Sequence, residues 1–140
     1  MFGNIAKLST VASLSVKGLG LVLLCLLAMG CDKELYSYVE TIKYEVTGTA
    51  SSVHITMHSA SGNVEELNDI SLPWSKEFEP NFYRDDDDYK VYSAYISAKN
   101  NGELGSVVVS IYRDGKVIQT ATSSGAYVTA TVSQKVHRFY

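Results

Sequence analysis

The sequence predicts an all-β fold: an antiparallel β-sandwich of seven to eight short strands behind an N-terminal signal peptide. Three observations carry that prediction. Past residue 38, apolar and polar residues alternate with period two, the alternation being rich in Val, Ile, Thr and Tyr. Turn residues interrupt it at about the 8–12-residue spacing of sandwich strands. No segment in that region shows a helical apolar stripe.

Residues 1–30 read as the signal. Lys7 and Lys17 lead into the apolar run Leu19–Leu27, which closes on Ala28-Met29-Gly30-Cys31. A basic start, a short apolar core and small residues ahead of a cysteine make a bacterial lipoprotein signal peptide. The peptidase needs small side chains before its cut, and the thiol of Cys31 is the nucleophile that takes a diacylglycerol. The usual lipobox has Leu three places before the cysteine; here Ala28 stands there, and Leu27 is one step earlier. A retained transmembrane anchor is the first alternative. Between Lys17 and Asp32 lie 14 residues, which as a helix would span about 21 Å against about 30 Å of hydrocarbon. Ordinary secretion, the second, would leave a free cysteine at the new N-terminus. The lipidated reading makes Cys31 the first mature residue, residues 31–38 a polar tether and residues 39–140 the folded domain.

Within the domain, Ile42, Tyr44 and Val46 alternate with Lys43, Glu45 and Thr47, and Val53, Ile55 and Met57 with His54, Thr56 and His58. The same period recurs at Val107, Val109 and Ile111 and at Val128, Ala130 and Val132. Ser61-Gly62-Asn63, Asn100-Asn101-Gly102 and Ser123-Ser124-Gly125 mark turns. Asp114-Gly115 is a two-residue hairpin signal, because both of its positions need positive φ. Strands are expected near residues 40–49, 52–58, 64–72, 76–80, 89–98, 105–113, 116–122 and 126–136.

Composition narrows the function. Removing the signal takes away Lys7 and Lys17, leaving ten basic residues against fifteen acidic ones and a net charge of −5. Nucleic acid is therefore not an expected partner, since it demands clustered Lys and Arg, and Lys43, Lys76, Lys99, Lys116 and Lys135 are scattered. Cys25 leaves with the signal, so the domain has no disulfide, thiol nucleophile or cysteine metal site.

Several segments resemble the small mycobacterial membrane protein (MmpS) domain: Tyr44-Glu45-Val46-Thr47-Gly48-Thr49-Ala50-Ser51-Ser52, Ser71-Leu72-Pro73-Trp74-Ser75-Lys76 and Ser123-Ser124-Gly125-Ala126-Tyr127. Ile96–Gly102, leading to Gly105-Ser106-Val107 and Asp114-Gly115-Lys116, fits the same order. The resemblance covers about residues 41–134. It implies an immunoglobulin-like β-sandwich and a role as accessory partner of large lipid and siderophore exporters. Relatives of that kind are held by a membrane helix and some carry a cysteine pair; this chain has neither feature.

Candidate sites are few. Asp85, Asp86, Asp87 and Asp88 follow Arg84. Four carboxylates offer hard oxygens to Ca²⁺, but no Gly-punctuated calcium loop surrounds them, and a solvated or partner-facing loop is expected. Phe82 and Tyr83 beside this run form the candidate partner-binding patch. His54 and His58 would share a strand face about 13 Å apart, too far for one ion, and His137 belongs to the tail; no metal site is expected. Glu65-Glu66 and Glu77 with Glu79 are read as surface charge, and no nucleophile elbow, phosphate loop or His-Glu-x-x-His occurs. Neither catalysis nor a cofactor is expected. Tyr44, Tyr92, Tyr95, Tyr112 and Tyr127 are assigned to β-positions, and Trp74 to one end of the core.

These readings combine into a non-catalytic, lipid-anchored envelope protein acting as an accessory or interaction module for a membrane or export complex. It would be held on the periplasmic or cell-surface side, with the outer membrane favoured, although the acidic residues after Cys31 fit either membrane. The alternative is a surface lipoprotein that binds a glycan or a hydrophobic small ligand through its aromatic loops.

Overall fold

The computed structural model describes residues 39–87 and 89–138. Two antiparallel sheets face each other, as a β-sandwich requires. The strands are β1 (Ile42–Thr47), β2 (Val53–His58), β3 (Val64–Ile70), β4 (Trp74–Phe78), β5 (Tyr83–Arg84), β6 (Lys90–Asn100), β7 (Ser106–Arg113), β8 (Lys116–Ser124) and β9 (Thr129–Arg138). One sheet has the order β4-β1-β7-β8; the other runs β3-β2-β6, with β5 and β9 also on β6. Each of the eight expected segments forms a strand. The ninth, β5, is only two residues long and exists through its pairing with Val91 and Lys90.

β6 organises the second sheet. Along Lys90–Lys99 it pairs with β9. On its other edge it pairs with β2 through Ile96–Asn100 and with β5 through Lys90 and Val91. Asp114-Gly115 makes the β7–β8 turn, and both residues take positive φ (50° and 79°), as a tight hairpin demands.

Alternation places the core. Ile42, Tyr44 and Val46 of β1, Val53, Ile55 and Met57 of β2, and Val107, Val109 and Ile111 of β7 are all buried. β6 contributes Tyr92, Ala94, Ile96 and Ala98; its alanines let the sheets approach closely over Ala130 of β9. Burying each larger side chain stabilises the fold by about 1.5–3 kcal/mol. Trp74 and Phe78 pack onto this cluster from edge strand β4, opposite Val46 and Ile42 respectively.

Two of the fully buried side chains are tyrosines, and they are wired together. The backbone N–H of Tyr95 donates to the Tyr44 hydroxyl at 3.2 Å. The Tyr92 hydroxyl donates to the carbonyl of Ser59 at 2.7 Å. A carbonyl only accepts, so in the 3.2 Å contact between the hydroxyls Tyr44 is the donor. Phe78 meets Tyr44 edge-on at 5.1 Å. Burial pushes the Tyr44 phenol above its usual range, partly offset by its two hydrogen bonds. Burial raises Tyr92 as well, helped by Tyr44 and by the nearby Glu65 carboxylate.

The open side between β3 and β4 is closed by charge. Glu65 stands opposite Met57 and Lys76 opposite Tyr44, so both project toward the core side, where they pair at 2.8 Å. Inward-pointing charges and the β3 irregularity at Val53/Ile55 discourage edge-to-edge pairing there.

At one end of the sandwich Asn100, fully buried, ties the β6–β7 and β8–β9 loops together. Its side-chain amide donates to the carbonyls of Leu104 and Gly125 and accepts from the N–H of Gly102. Gly48 lies here with φ +132°, and a Cβ on it would overlap the carbonyl oxygen of Ser106.

Two outcomes test this architecture. Gly48→Ala is expected to cost about 1–3 kcal/mol from backbone strain plus overlap; Gly62→Ala, with nothing within 4 Å of its Cβ, should cost less in the same thermal melts. Tyr92→Phe removes the donor to Ser59 and should cost about 1–3 kcal/mol at pH 8. The raised tyrosines also set an alkaline limit. Their contribution is complete below the unfolded tyrosine pKa of about 10 and is lost as pH rises above it, by about 1.4 kcal/mol per pH unit for each group. Melting temperatures from pH 9 to 12 should therefore fall more steeply for the native chain than for Tyr92→Phe.

Candidate functional site

The sequence places its contact patch at Phe82, Tyr83, Asp85, Asp86, Asp87 and Asp88. All but Asp88, which is outside the described residues, lie at the end of the sandwich where the described chain begins. Thr41 and Asp114 exchange hydrogen bonds there, and Arg113 pairs with the buried Glu40 at 2.7 Å. Asn81 N–H reaches the carbonyl of Ala60, fixing the approach to β5 against the β2–β3 turn.

Phe82 and Tyr83 part company. Phe82 turns inward against the core, its ring edge-on to Tyr92 at 6.5 Å with the guanidinium of Arg138 5.7 Å from its centroid. Phe82 lies just outside β5, in the loop expected for it, but it is half-buried by this packing. Tyr83 points out, half exposed, and its hydroxyl bonds Ser93 Oγ at 3.0 Å.

The acidic run forms the β5–β6 turn, closed by Asp85 N–H donating to the Tyr89 carbonyl. Asp87 N–H donates back to Asp85 Oδ1 at 3.4 Å, so part of that carboxylate serves its own turn. Asp86 and Asp87 are exposed, and Asp88 lies outside the described residues. Among the described residues, no three His, Cys, Asp or Glu side chains gather where they could hold a metal ion. Cys31, the tether and the signal also fall outside the described residues.

The histidines of β2 share an outward face, and each is oriented. His54 Nδ1 meets Asn68 Oδ1 at 2.6 Å; His58 Nδ1 donates to the Ser93 carbonyl at 2.9 Å, and its ring lies on Tyr95 at 5.2 Å. Tyr127 is not at a β-position as expected. It occupies the β8–β9 turn with φ +54° and is half exposed.

Sequence reasoning missed two surfaces. One is the end opposite the acidic turn, where a cavity of about 580 Å³ is lined by Thr49, Ser51, Gly102, Glu103, Leu104 and Gly105, with Leu104 84% exposed. The other is a groove of about 300 Å³ on the outer face of the second sheet, between His58, Tyr95, Ser133 and Lys135. Only strand pairing brings those residues together, and no local motif announces them. No family model and no curated protein matches the chain.

The divided roles of Phe82 and Tyr83 are open to measurement. Phe82→Ala should lower stability by about 1–3 kcal/mol through lost packing. Tyr83→Ala should stay within about 0.5 kcal/mol of the native chain. Equal melting temperatures for the two variants would contradict the inward placement of Phe82.

Proposed function

We propose that this chain is a non-catalytic, lipid-anchored envelope protein that serves as an interaction module for a membrane or export complex. The observation that carries the reading is the run Leu19–Leu27 closing on Ala28-Met29-Gly30-Cys31. Acylation of the Cys31 thiol and then of its freed amino group supplies more than one chain, and stable anchoring needs more than one.

The resemblance to the MmpS domain supports the accessory role and the β-sandwich alike. In this reading the lipid takes over the work of the relatives' membrane helix. The seven residues between Cys31 and Val39 reach at most about 25 Å when extended. A tether so short restricts the domain to partners in or near the same membrane. Val39 leads into the end that carries Tyr83 and the acidic turn, so that end would work closest to the bilayer. Tyr83 with Asp85, Asp86, Asp87 and Asp88 then forms the contact patch, suited to a partner with basic residues on its membrane-proximal surface.

Radiolabelled palmitate fed to expressing cells should enter the native chain and not Cys31→Ala, and Cys31→Ala should leave the membrane fraction. Label retained by Cys31→Ala would overturn the anchor. A photocrosslinker placed at Tyr83 in intact cells should trap an integral membrane protein. Adducts formed only with soluble periplasmic proteins would overturn the partner class.

A further inference from the structure

We propose that the outer face of the second sheet is a binding platform for an anionic, carboxylate-bearing glycan lying along β6. This goes beyond the tethering role and holds whether or not the chain is lipidated.

The first observation is the partition of charge. Residues 31–140 carry a net −5, yet β2, β6 and β9 contain no aspartate or glutamate at all; the carboxylate beside them on this face is Glu66 of β3, opposite Thr56. The outward positions of these strands hold His54, Thr56 and His58; Ser93, Tyr95, Ser97 and Lys99; and Thr129, Thr131, Ser133 and Lys135. Pairing sets them side by side: Lys99 between His54 and Thr129, Ser97 between Thr56 and Thr131, Tyr95 beside Ser133, and Ser93 beside Lys135. Lys99 and Lys135, scattered in sequence, thus occupy one face. Both are exposed, and neither forms an ion pair with a described carboxylate.

The opposite face of the sandwich shows what a self-satisfied surface looks like. There Lys43 pairs with Glu45 at 3.3 Å and sits over the Tyr112 ring at 4.0 Å. Tyr112 donates its hydroxyl proton to Glu45 at 2.9 Å. Cation, carboxylate and phenol consume one another. On the second sheet Lys99 and Lys135 make no such pair with a described carboxylate.

The second observation is the shape and chemistry between the two lysines. They stand about six β-residues apart along the strand direction, roughly 20 Å. At the Lys135 end of this span lies the groove of about 300 Å³, floored by the tilted His58–Tyr95 stack. His58 is fixed there by its bond to the Ser93 carbonyl, and Tyr83 reaches the same residue through Ser93 Oγ. Ser97 and Thr131 are joined at 2.9 Å, leaving further lone pairs to an approaching hydroxyl.

A shallow aromatic floor, a row of hydroxyls and a lysine near each end match a flexible polyol that carries acid groups. Tyrosine offers it contact area at low entropic cost. An acidic peptide fits less well. Peptides dock by adding a strand to a free edge or by filling apolar pockets. This groove lies on the face of the sheet, lined by side chains of β2, β6 and β9, and not along the free edge of β9, which pairs only with β6.

The test uses the purified full chain in detergent, titrated calorimetrically with polygalacturonate, neutral dextran and polyglutamate. Polygalacturonate should bind, more weakly as salt rises, with dextran and polyglutamate far behind. The double substitution Lys99→Ala with Lys135→Ala should weaken binding by at least about tenfold, equivalent to about 1.4 kcal/mol, while its melting temperature stays near native. Lys116→Ala, on the other sheet, should bind as the native chain does. No binding of polygalacturonate, equal affinity for dextran, equal affinity for polyglutamate, or indifference to the double substitution would each overturn the proposal. Palmitate labelling is unaffected by any of these results, so the anchor and the platform stand or fall separately.

Discussion

The register of β6 is the constraint on which the rest of this structure depends. Its period-two alternation sends Tyr92, Ala94, Ile96, Ala98 and Asn100 inward, and Ser93, Tyr95, Ser97 and Lys99 outward. A slip of one residue would exchange the two sets, destroying core and outer face together. Three local devices pin it. The Tyr92 hydroxyl is bonded to the Ser59 carbonyl near the start of the strand. Asn100 locks the far end by three side-chain hydrogen bonds. Between them runs the long ladder to β9. The Tyr92 hydroxyl and the Asn100 amide find these partners only in this register, so a slip leaves one of them unpaired at about 1–3 kcal/mol.

Charge is distributed with equal consequence. Acidic residues occupy the β3 and β4 edges, the loops and the first sheet, while the three strands of the groove have none. At the β3–β4 side the Lys76–Glu65 pair points inward, where it discourages another strand from docking. Glu65 also helps hold the Tyr92 phenol protonated. One ion pair therefore serves both edge protection and the buried hydroxyl chain. Partly exposed pairs of this kind add little stability; its placement matters more than its energy.

The strands and the hairpin were legible in the sequence because both obey local rules: alternation for Val53–His58, positive φ for Asp114-Gly115. What escaped was decided by contacts distant in sequence. β5 is two residues long and carries no period; it is a strand because β6 offers a free edge beside Val91. Phe82 has no alternating neighbours to show its direction, and its burial follows from Tyr92 and Arg138. Tyr127 follows Gly125 and precedes a strand by two positions, and its turn conformation comes from loops held by Asn100. Lys99 and Lys135 lie far apart in the chain, and only the β6–β9 register places them on one face. Net charge masks such local detail: the −5 summed over residues 31–140 conceals three adjacent strands, β2, β6 and β9, that carry no carboxylate.

A weak site becomes useful when it is repeated. Two exposed lysines give a binding free energy that salt readily screens, so a single short acidic saccharide would be held only briefly. A polymer repeats its acid groups, and a ligand that leaves one register finds another without leaving the face. Lipid anchoring would add a second repetition, because many copies would share one membrane and one polymer would meet several of them. Each further engagement is then intramolecular, governed by effective concentration rather than by the affinity of one groove. On this argument the lysines of the outer face and the proposed lipid anchor would be complementary: neither would need to be strong, provided that the molecules are held side by side.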